Sequence, residues 1–166
     1  MAGSRARIGD LLRLLARHGV EHVVVGGVGA VLQGAPILTR DLDIVHSRSP
    51  RNVHRLLAAL EEVHAFYRTR TDRRFEPGEP ELASPGHQLL STDLGDLDLL
   101  GTVGEGQSYD DIFGRAVRFE LSGLSVMVLD LAAIIEFKET LGREKDRAML
   151  PLLRQVLAAR GKPPRE

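Results

Sequence analysis

The 166-residue sequence contains no cysteine, which excludes disulfide bonds, thiol catalysis and zinc sites built on thiolates. No apolar signal segment stands near the N-terminus, and no run approaches the ~20 apolar residues that a membrane-spanning helix needs. We therefore expect a cytoplasmic protein without membrane contact. The formal net charge of −1 gives no overall basic character, so any contact with nucleic acid requires a local patch.

The signatures of several common enzyme classes are missing as well. The sequence has no Gly-Lys-Ser/Thr phosphate loop, no HExxH zinc motif and no serine hydrolase motif. Gly27-x-Gly29 matches the start of a dinucleotide-binding fingerprint, but Leu32 replaces its third glycine. With 43% hydrophobic residues, the chain is long enough for one domain over residues 1–166, with a core at about 8–158 and a frayed tail at 161–166.

What the sequence does contain is a pair of aspartates, two residues apart, in the short apolar segment Thr39–Val45. Side chains alternate along a strand, so Asp41 and Asp43 are expected on one face, and Leu42 and Ile44 on the other. Carboxylates that close repel each other unless a cation neutralises them or one takes a proton. Hard oxygen ligands of this kind suit Mg²⁺.

A glycine-rich turn precedes the aspartates. Residues 22–25 are typical of a buried strand, and Gly26, Gly27, Val28 and Gly29 lead from it into an apolar helical stretch. Such a turn lets backbone amides approach an anion without interference from side chains. Tight packing would explain the glycines alone equally well. Combined with the aspartates, they indicate a nucleoside triphosphate beside a metal.

A third carboxylate completes a known pattern. Gly26-Gly27, then Asp41-x-Asp43, then a lone carboxylate in a later apolar strand resembles the DNA polymerase beta nucleotidyltransferase superfamily. The later strand lies within residues 94–101. Asp98 stands in its middle, whereas Asp96 follows a glycine at its start. Both this position and the resemblance favour Asp98.

Further residues narrow the resemblance to one group. Thr92–Gly101, Tyr109–Asp111, and Lys138 with Gly142–Asp146 look like the small bacterial nucleotidyltransferases of the abortive-infection AbiEii type. Many of those proteins are toxins of toxin-antitoxin pairs. The likeness covers roughly residues 8–158, which is nearly the whole chain.

The resemblance implies a nucleotidyltransferase fold of the α/β (α+β) class, with a mixed, largely antiparallel sheet flanked by helices. It implies that Asp41, Asp43 and Asp98 bind two Mg²⁺ or Mn²⁺ ions and that Asp98 is the base for the incoming hydroxyl. Lys138 joins them as a catalytic residue. The NTP would be held by Gly26, Gly27, Val28, Arg40 and Lys138. Pyrophosphate would leave, and the nucleotide would pass to an acceptor hydroxyl, with the 3′ end of tRNA as leading acceptor and an antitoxin protein as partner.

Two departures from the superfamily pattern keep other functions open. Val28 stands where Ser or Thr often follows the glycine pair, and Ile37 stands where a basic residue often follows Pro36. A catalytically inactive module that binds nucleotide or RNA would tolerate both. A small-molecule nucleotidyltransferase of the antibiotic-modifying type would keep the metal site. It would not need the cluster of arginines and aromatic residues at Phe66, Tyr67, Arg68, Arg70, Arg73, Arg74 and Phe75.

Lys138 is predicted to lie on the apolar stripe of a helix with Leu131, Ile134 and Ile135. A lysine on that face needs an anionic partner. One interpretation is an ion pair with Asp146, which falls on the inward face of the following helix. The other is a bound triphosphate, and the resemblance favours it.

The remaining pattern predicts helices and strands around these motifs. We expect a helix that ends at Gly19, a helix that begins at Ser49-Pro50, and a loop over residues 68–86. Two adjacent strands should meet near Gly95, and a hairpin should turn at Ser122-Gly123. Helices at about 130–141 and 144–159 complete the domain.

Overall fold

The computed structural model describes residues 3–70 and 72–160 of the chain. Its helices are α1 (Gly3–Arg17), α2 (Gly26–Leu32), α3 (Pro50–Glu62), α4 (Glu79–Ala83), α5 (Tyr109–Ile112), α6 (Leu131–Leu141) and α7 (Glu144–Arg160). Its strands are β1 (His22–Val25), β2 (Leu42–His46), β3 (Phe66–Tyr67), β4 (His87–Thr92), β5 (Gly95–Leu100), β6 (Ala116–Leu121) and β7 (Leu124–Leu129). The predicted tail at 161–166 lies outside the described residues.

These strands form one seven-stranded sheet in the order β3-β4-β5-β2-β1-β7-β6. The pairs β1–β2, β3–β4, β4–β5 and β6–β7 are antiparallel. The pairs β2–β5 and β1–β7 are parallel. The sheet is therefore mixed, and the expectation of a largely antiparallel sheet is corrected at its centre. Parallel neighbours need long crossover connections, whereas the local sequence pattern shows only hairpins.

The sequence marks the helix boundaries by their caps. The Ser49 side chain accepts a hydrogen bond from the Asn52 amide, and Pro50 opens α3, as predicted. At α6, the Asp130 side chain accepts a hydrogen bond of 2.8 Å from the Ala133 amide. That helix ends at Gly142, whose φ of +60° suits glycine.

Apolar side chains fill both faces of the sheet. On one face, α1 and α3 pack against Val24, Leu42 and Ile44. On the other face, α2, α6 and α7 pack against neighbours such as Val25 and Val45. Because strand side chains alternate, Asp43 and Asp98 point to the second face, where the helices cover the sheet only in part. Among the described residues, none of the helices combines the length and the apolar character needed to cross a membrane.

Three local predictions need correction. β2 begins at Leu42, so Asp41 precedes the strand instead of lying in it. α2 begins at Gly26 itself, so the glycines form the first turn of the helix. The predicted loop over 68–86 contains α4, whose Leu82 is fully buried. α4 is too short to show an apolar period, and the packing of Leu82 specifies it instead.

Candidate active site

Asp43 and Asp98 face each other across the parallel strands β2 and β5. Their Cα atoms are register partners. The pKa of Asp43 is raised to about 7 by burial, by the charge of Asp98 and a hydrogen bond to it, and by the charge of Asp41. Two carboxyl groups held this closely need a shared proton or a cation between them.

Asp41 joins this acidic pair from the residue just before β2. It is half-buried, and its pKa is raised by burial and then by the charge of Asp98. The positive charges of Arg68 and Lys145 act in the opposite direction. Asp41 therefore lies within electrostatic range of the pair. It does so from outside β2, so the alternation of side chains along a strand does not explain its position.

Asp98 and Asp96 share a strand face but differ in their surroundings. The Asp98 side chain is 13% exposed and the Asp96 side chain is 40% exposed. Asp96 accepts a hydrogen bond of 3.0 Å from the Ser91 hydroxyl. The register thus puts Asp98, and not Asp96, opposite Asp43.

Gly26 makes room for the Asp43 carboxylate. Its φ is +65°, and a Cβ atom at this position would lie 2.3 Å from Oδ2 of Asp43. At Gly27, a Cβ atom would lie 2.8 Å from Oγ1 of Thr39. The first amides of α2 therefore begin directly beside the acidic pair, where helix amides have no partner within the helix. The Val28 side chain is buried in the core, so only its backbone could reach a ligand.

We expect Gly26→Ala to lower both the stability and the affinity for divalent metal, because the methyl group displaces the Asp43 carboxylate. The positive φ alone costs about 1–2 kcal/mol in a residue with a Cβ atom. Gly106→Ala is the matched control, since Gly106 has a φ of +85° with nothing within 4 Å of the added Cβ. Thermal melts with and without Mn²⁺ should show a larger loss of Mn²⁺-induced stabilisation in Gly26→Ala than in Gly106→Ala. Equal losses would show that only backbone strain matters.

Lys138 forms an ion pair with the buried Asp146. Its Nζ atom lies 3.2 Å from Oδ1 of Asp146, and Arg143 Nε lies 2.6 Å from Oδ2. Burial alone would raise the pKa of Asp146, but the hydrogen bonds and charges of Arg143 and Lys138 outweigh it and lower the pKa. The charge of Lys138 also lowers the pKa of Asp43, so the ammonium lies within electrostatic range of the acidic pair. The ion-pair interpretation is present in the structure, and the triphosphate interpretation stays a prediction.

The remaining residues singled out in the sequence lie outside the acidic pair. Arg40 is exposed in the segment that joins α2 to β2, next to the half-buried Thr39. Ile37 is half-buried and packs against the apolar core on the α6 face, so it takes no part in the polar surface. Arg70 stacks over Phe75 at 3.9 Å and Arg74 over Phe66 at 4.2 Å.

Arg68 contacts the acidic pair, which the sequence does not predict. The sequence pattern places Arg68 in a cluster of loop arginines and aromatic residues, but its Nη1 atom donates to Oδ1 of Asp98 at 2.5 Å. β3 is two residues long, and only its pairing with β4 turns Arg68 towards β5. A segment this short gives no period from which that direction could be read.

The acidic residues fit a metal only with help from a substrate. Within residues 3–70 and 72–160, no three acidic or histidine side chains are grouped closely enough to hold a metal ion by themselves. Mg²⁺ commonly binds one or two protein carboxylates and takes its other oxygens from phosphates and water. Asp43 and Asp98 supply carboxylates of this kind. The three-ligand set of Asp41, Asp43 and Asp98 stays a prediction.

The whole fold is similar to two solved structures. No protein-family model and no curated protein matches the sequence. A protein from Thermotoga maritima proposed to be a nucleotidyltransferase superposes with a TM-score of 0.56 at 20% identity, over 92% of this chain and 91% of that one. The antibiotic-resistance factor ANT(2'')-Ia superposes with a TM-score of 0.58 at 14% identity, over 93% of this chain and 84% of that one. This chain shares its fold with both of these structures. At such identities the likeness concerns the fold alone.

Proposed function

We propose that this protein is a nucleotidyltransferase that moves a nucleoside monophosphate from an NTP to an acceptor hydroxyl. The observation that carries the proposal is the cross-strand pair of Asp43 and Asp98 at the start of α2. A divalent cation at this pair would lie beside a triphosphate bound at the first amides of α2. Burial and mutual repulsion make the pair costly unless a proton or cations neutralise it; Arg68 supplies one positive charge, and a divalent cation would supply the rest.

The residues of the site have separate roles in the reaction. The acceptor oxygen attacks the α-phosphorus, the bond from that phosphorus to the α–β bridging oxygen breaks, and pyrophosphate leaves with the electron pair. Asp98 takes the proton of the acceptor hydroxyl. Mg²⁺ or Mn²⁺ at Asp41, Asp43 and Asp98 would supply Lewis-acid stabilisation of the attacking and leaving oxygens.

The triphosphate is held by backbone amides and cations. The amides of Gly26, Gly27 and Val28 open α2 beside the acidic pair. Lys138 on α6 contacts Asp146 at 3.2 Å and acts electrostatically on Asp43, and it would contact the triphosphate from that position. Arg40 adds an exposed positive charge at the rim. Together these groups would orient the α-phosphate towards the acceptor.

For the acceptor we favour the 3′ end of an RNA, with tRNA first and growth inhibition under control of an antitoxin as the biology. Arg70, Arg73 and Arg74 lie with Phe66 and Phe75 along one edge of the sheet. Arginines interleaved with aromatic rings suit the phosphates and bases of a single strand. The likeness to an antibiotic-resistance factor over 93% of this chain favours a small-molecule acceptor as the second candidate.

One labelling experiment separates the candidates. The protein is incubated with each α-³²P-labelled NTP and Mg²⁺ or Mn²⁺, together with total RNA or with a panel of hydroxyl-bearing antibiotics. We expect label on RNA, lost when EDTA is added or when the RNA 3′ ends are oxidised with periodate. Label on an antibiotic would replace RNA by the small-molecule acceptor. Nucleotide binding without any transfer would identify an inactive binding module.

A further inference from the structure

Arg68 holds a fixed position at the acidic pair. Its backbone amide donates to the Leu89 carbonyl at 3.2 Å, and its Nη1 atom donates to the Leu90 carbonyl at 3.0 Å. The same Nη1 donates to Oδ1 of Asp98 at 2.5 Å. The side chain is only 24% exposed. Strand β4 therefore places this guanidinium on the Asp98 carboxylate, in contrast to the exposed arginines that follow it.

The charge of Arg68 reaches the other acidic residues too. Its Nε atom lies 3.9 Å from Oδ2 of Asp96. It also lowers the pKa of Asp41, against the effect of burial and of Asp98. Arg68 thus neutralises part of the charge that a divalent cation would neutralise. A hydrogen bond from a guanidinium lowers the electron density that a carboxylate oxygen can offer to a metal, and two cations at one carboxylate repel each other.

We propose that Arg68 is a positioning residue that competes with divalent metal for Asp98 and sets the metal concentration at which the site fills. This inference rests on the proposed function. The metal binds Asp98 more tightly once the guanidinium leaves Oδ1. Its planar fork of donors then suits an oxygen of the triphosphate, whose negative charge arrives with the metal. Arg68 thereby favours binding of the metal–nucleotide complex over binding of the bare metal.

The test measures metal binding directly, with Mn²⁺ alone as the probe. The electron paramagnetic resonance signal of free Mn²⁺ gives the Kd for the wild type, Arg68→Gln, Arg68→Lys, Asp98→Asn and the control Arg118→Gln. Arg118 is exposed on β6, at the far edge of the sheet from β5. We expect Arg68→Gln to bind Mn²⁺ at least tenfold more tightly than the wild type. The Mn²⁺ affinity of Arg68→Lys should lie between these two, because a lysine keeps the positive charge but lacks the planar set of guanidinium donors. The Mn²⁺ affinity of Arg118→Gln should stay within twofold of the wild type.

Each outcome decides between the inference and the function on which it rests. An unchanged or weaker Mn²⁺ affinity in Arg68→Gln overturns the inference, provided that Asp98→Asn loses binding. If Asp98→Asn binds Mn²⁺ as the wild type does, or the wild type binds none even with an NTP present, the proposed function fails instead. Should Arg68→Gln not fold, Arg68→Lys decides alone, with at least threefold tighter binding required. When the titration is repeated with a non-hydrolysable NTP, the difference in Mn²⁺ affinity between Arg68→Gln and the wild type should become smaller, because the wild-type guanidinium then gains a phosphate partner.

Discussion

Replacing Asp43 with asparagine should abolish nucleotidyl transfer, by more than about a thousandfold or ~4 kcal/mol, while the fold survives. The amide keeps the shape of the side chain that fits against Gly26, and it removes the charged oxygen that a metal needs. Transfer is measured with the labelled NTP and the acceptor that the labelling experiment identifies. Activity within tenfold of the wild type would remove Asp43 from the catalytic machinery.

The same variant should change how stability depends on pH in metal-free buffer. The pKa of Asp43 is raised to about 7 from an ordinary value of 3.8, so the folded wild type binds a proton there more tightly than the unfolded chain. Its stability therefore falls as pH rises from about 4 to about 7. Asp43→Asn has no such proton to lose. We expect it to melt several degrees above the wild type at pH 8 and close to it at pH 5.

Asp96→Asn is the control for this substitution. It removes a carboxylate from the adjacent strand, on the same face but more exposed. Transfer should change by less than about tenfold, or ~1.4 kcal/mol. If Asp96→Asn abolished transfer and Asp43→Asn did not, the catalytic centre would lie nearer the hairpin of β4 and β5.

Lys138→Met should depress transfer by about 10²-fold or more, the cost typical of removing one preorganised charge from a developing oxyanion. Its effect on stability should be smaller than the roughly 3–5 kcal/mol of a buried charge left alone. The reason is that Arg143, whose Nε atom lies 2.6 Å from Oδ2 of Asp146, remains as a partner for that carboxylate. Melting temperatures and NTP binding are measured for Lys138→Met, Asp146→Leu and the double variant.

The double variant separates the two roles of Lys138. If Lys138 only balances Asp146, the single variant melts far below the wild type, the double variant recovers, and nucleotide binding stays unchanged. That result would make Lys138 part of the scaffold. We expect instead that Lys138→Met loses little stability and that nucleotide binding is weakened equally in Lys138→Met and in the double variant.

Local periodicity predicted the parts of the site that lie within single elements. The position of Asp98 in the middle of β5 favours it over Asp96, which follows Gly95 at the start of the strand, and in the structure Asp98 is the register partner of Asp43. The 3.6-residue period turned both Lys138 and Asp146 inward, and the two side chains meet. Sequence periodicity therefore predicts contacts between groups that lie in one element or in two consecutive helices.

Long-range pairing decided the parts that the sequence did not predict. The parallel neighbours β2 and β5 are separated by α3, β3, α4 and β4, so no local pattern shows that they meet. Arg68 reaches Asp98 only because β3 pairs with β4 over two residues. The start of β2 at Leu42 likewise depends on its partners, since strand ends are set by pairing as much as by side-chain pattern.

The direct passage from β1 into α2 determines where this protein tolerates changes in length. Val25 ends the strand and Gly26 begins the helix, with no residue between them. One inserted residue there would rotate the helix and carry Gly26 away from Asp43. The connection from β3 to α4 begins with Arg68, which contacts Asp98, but its described residues beyond Arg68 include neither the acidic pair nor a core strand, so it can lengthen there without disturbing either. Under the proposed function, a new acceptor specificity can therefore evolve through length changes in that connection, while the junction of β1 and α2 must keep its length.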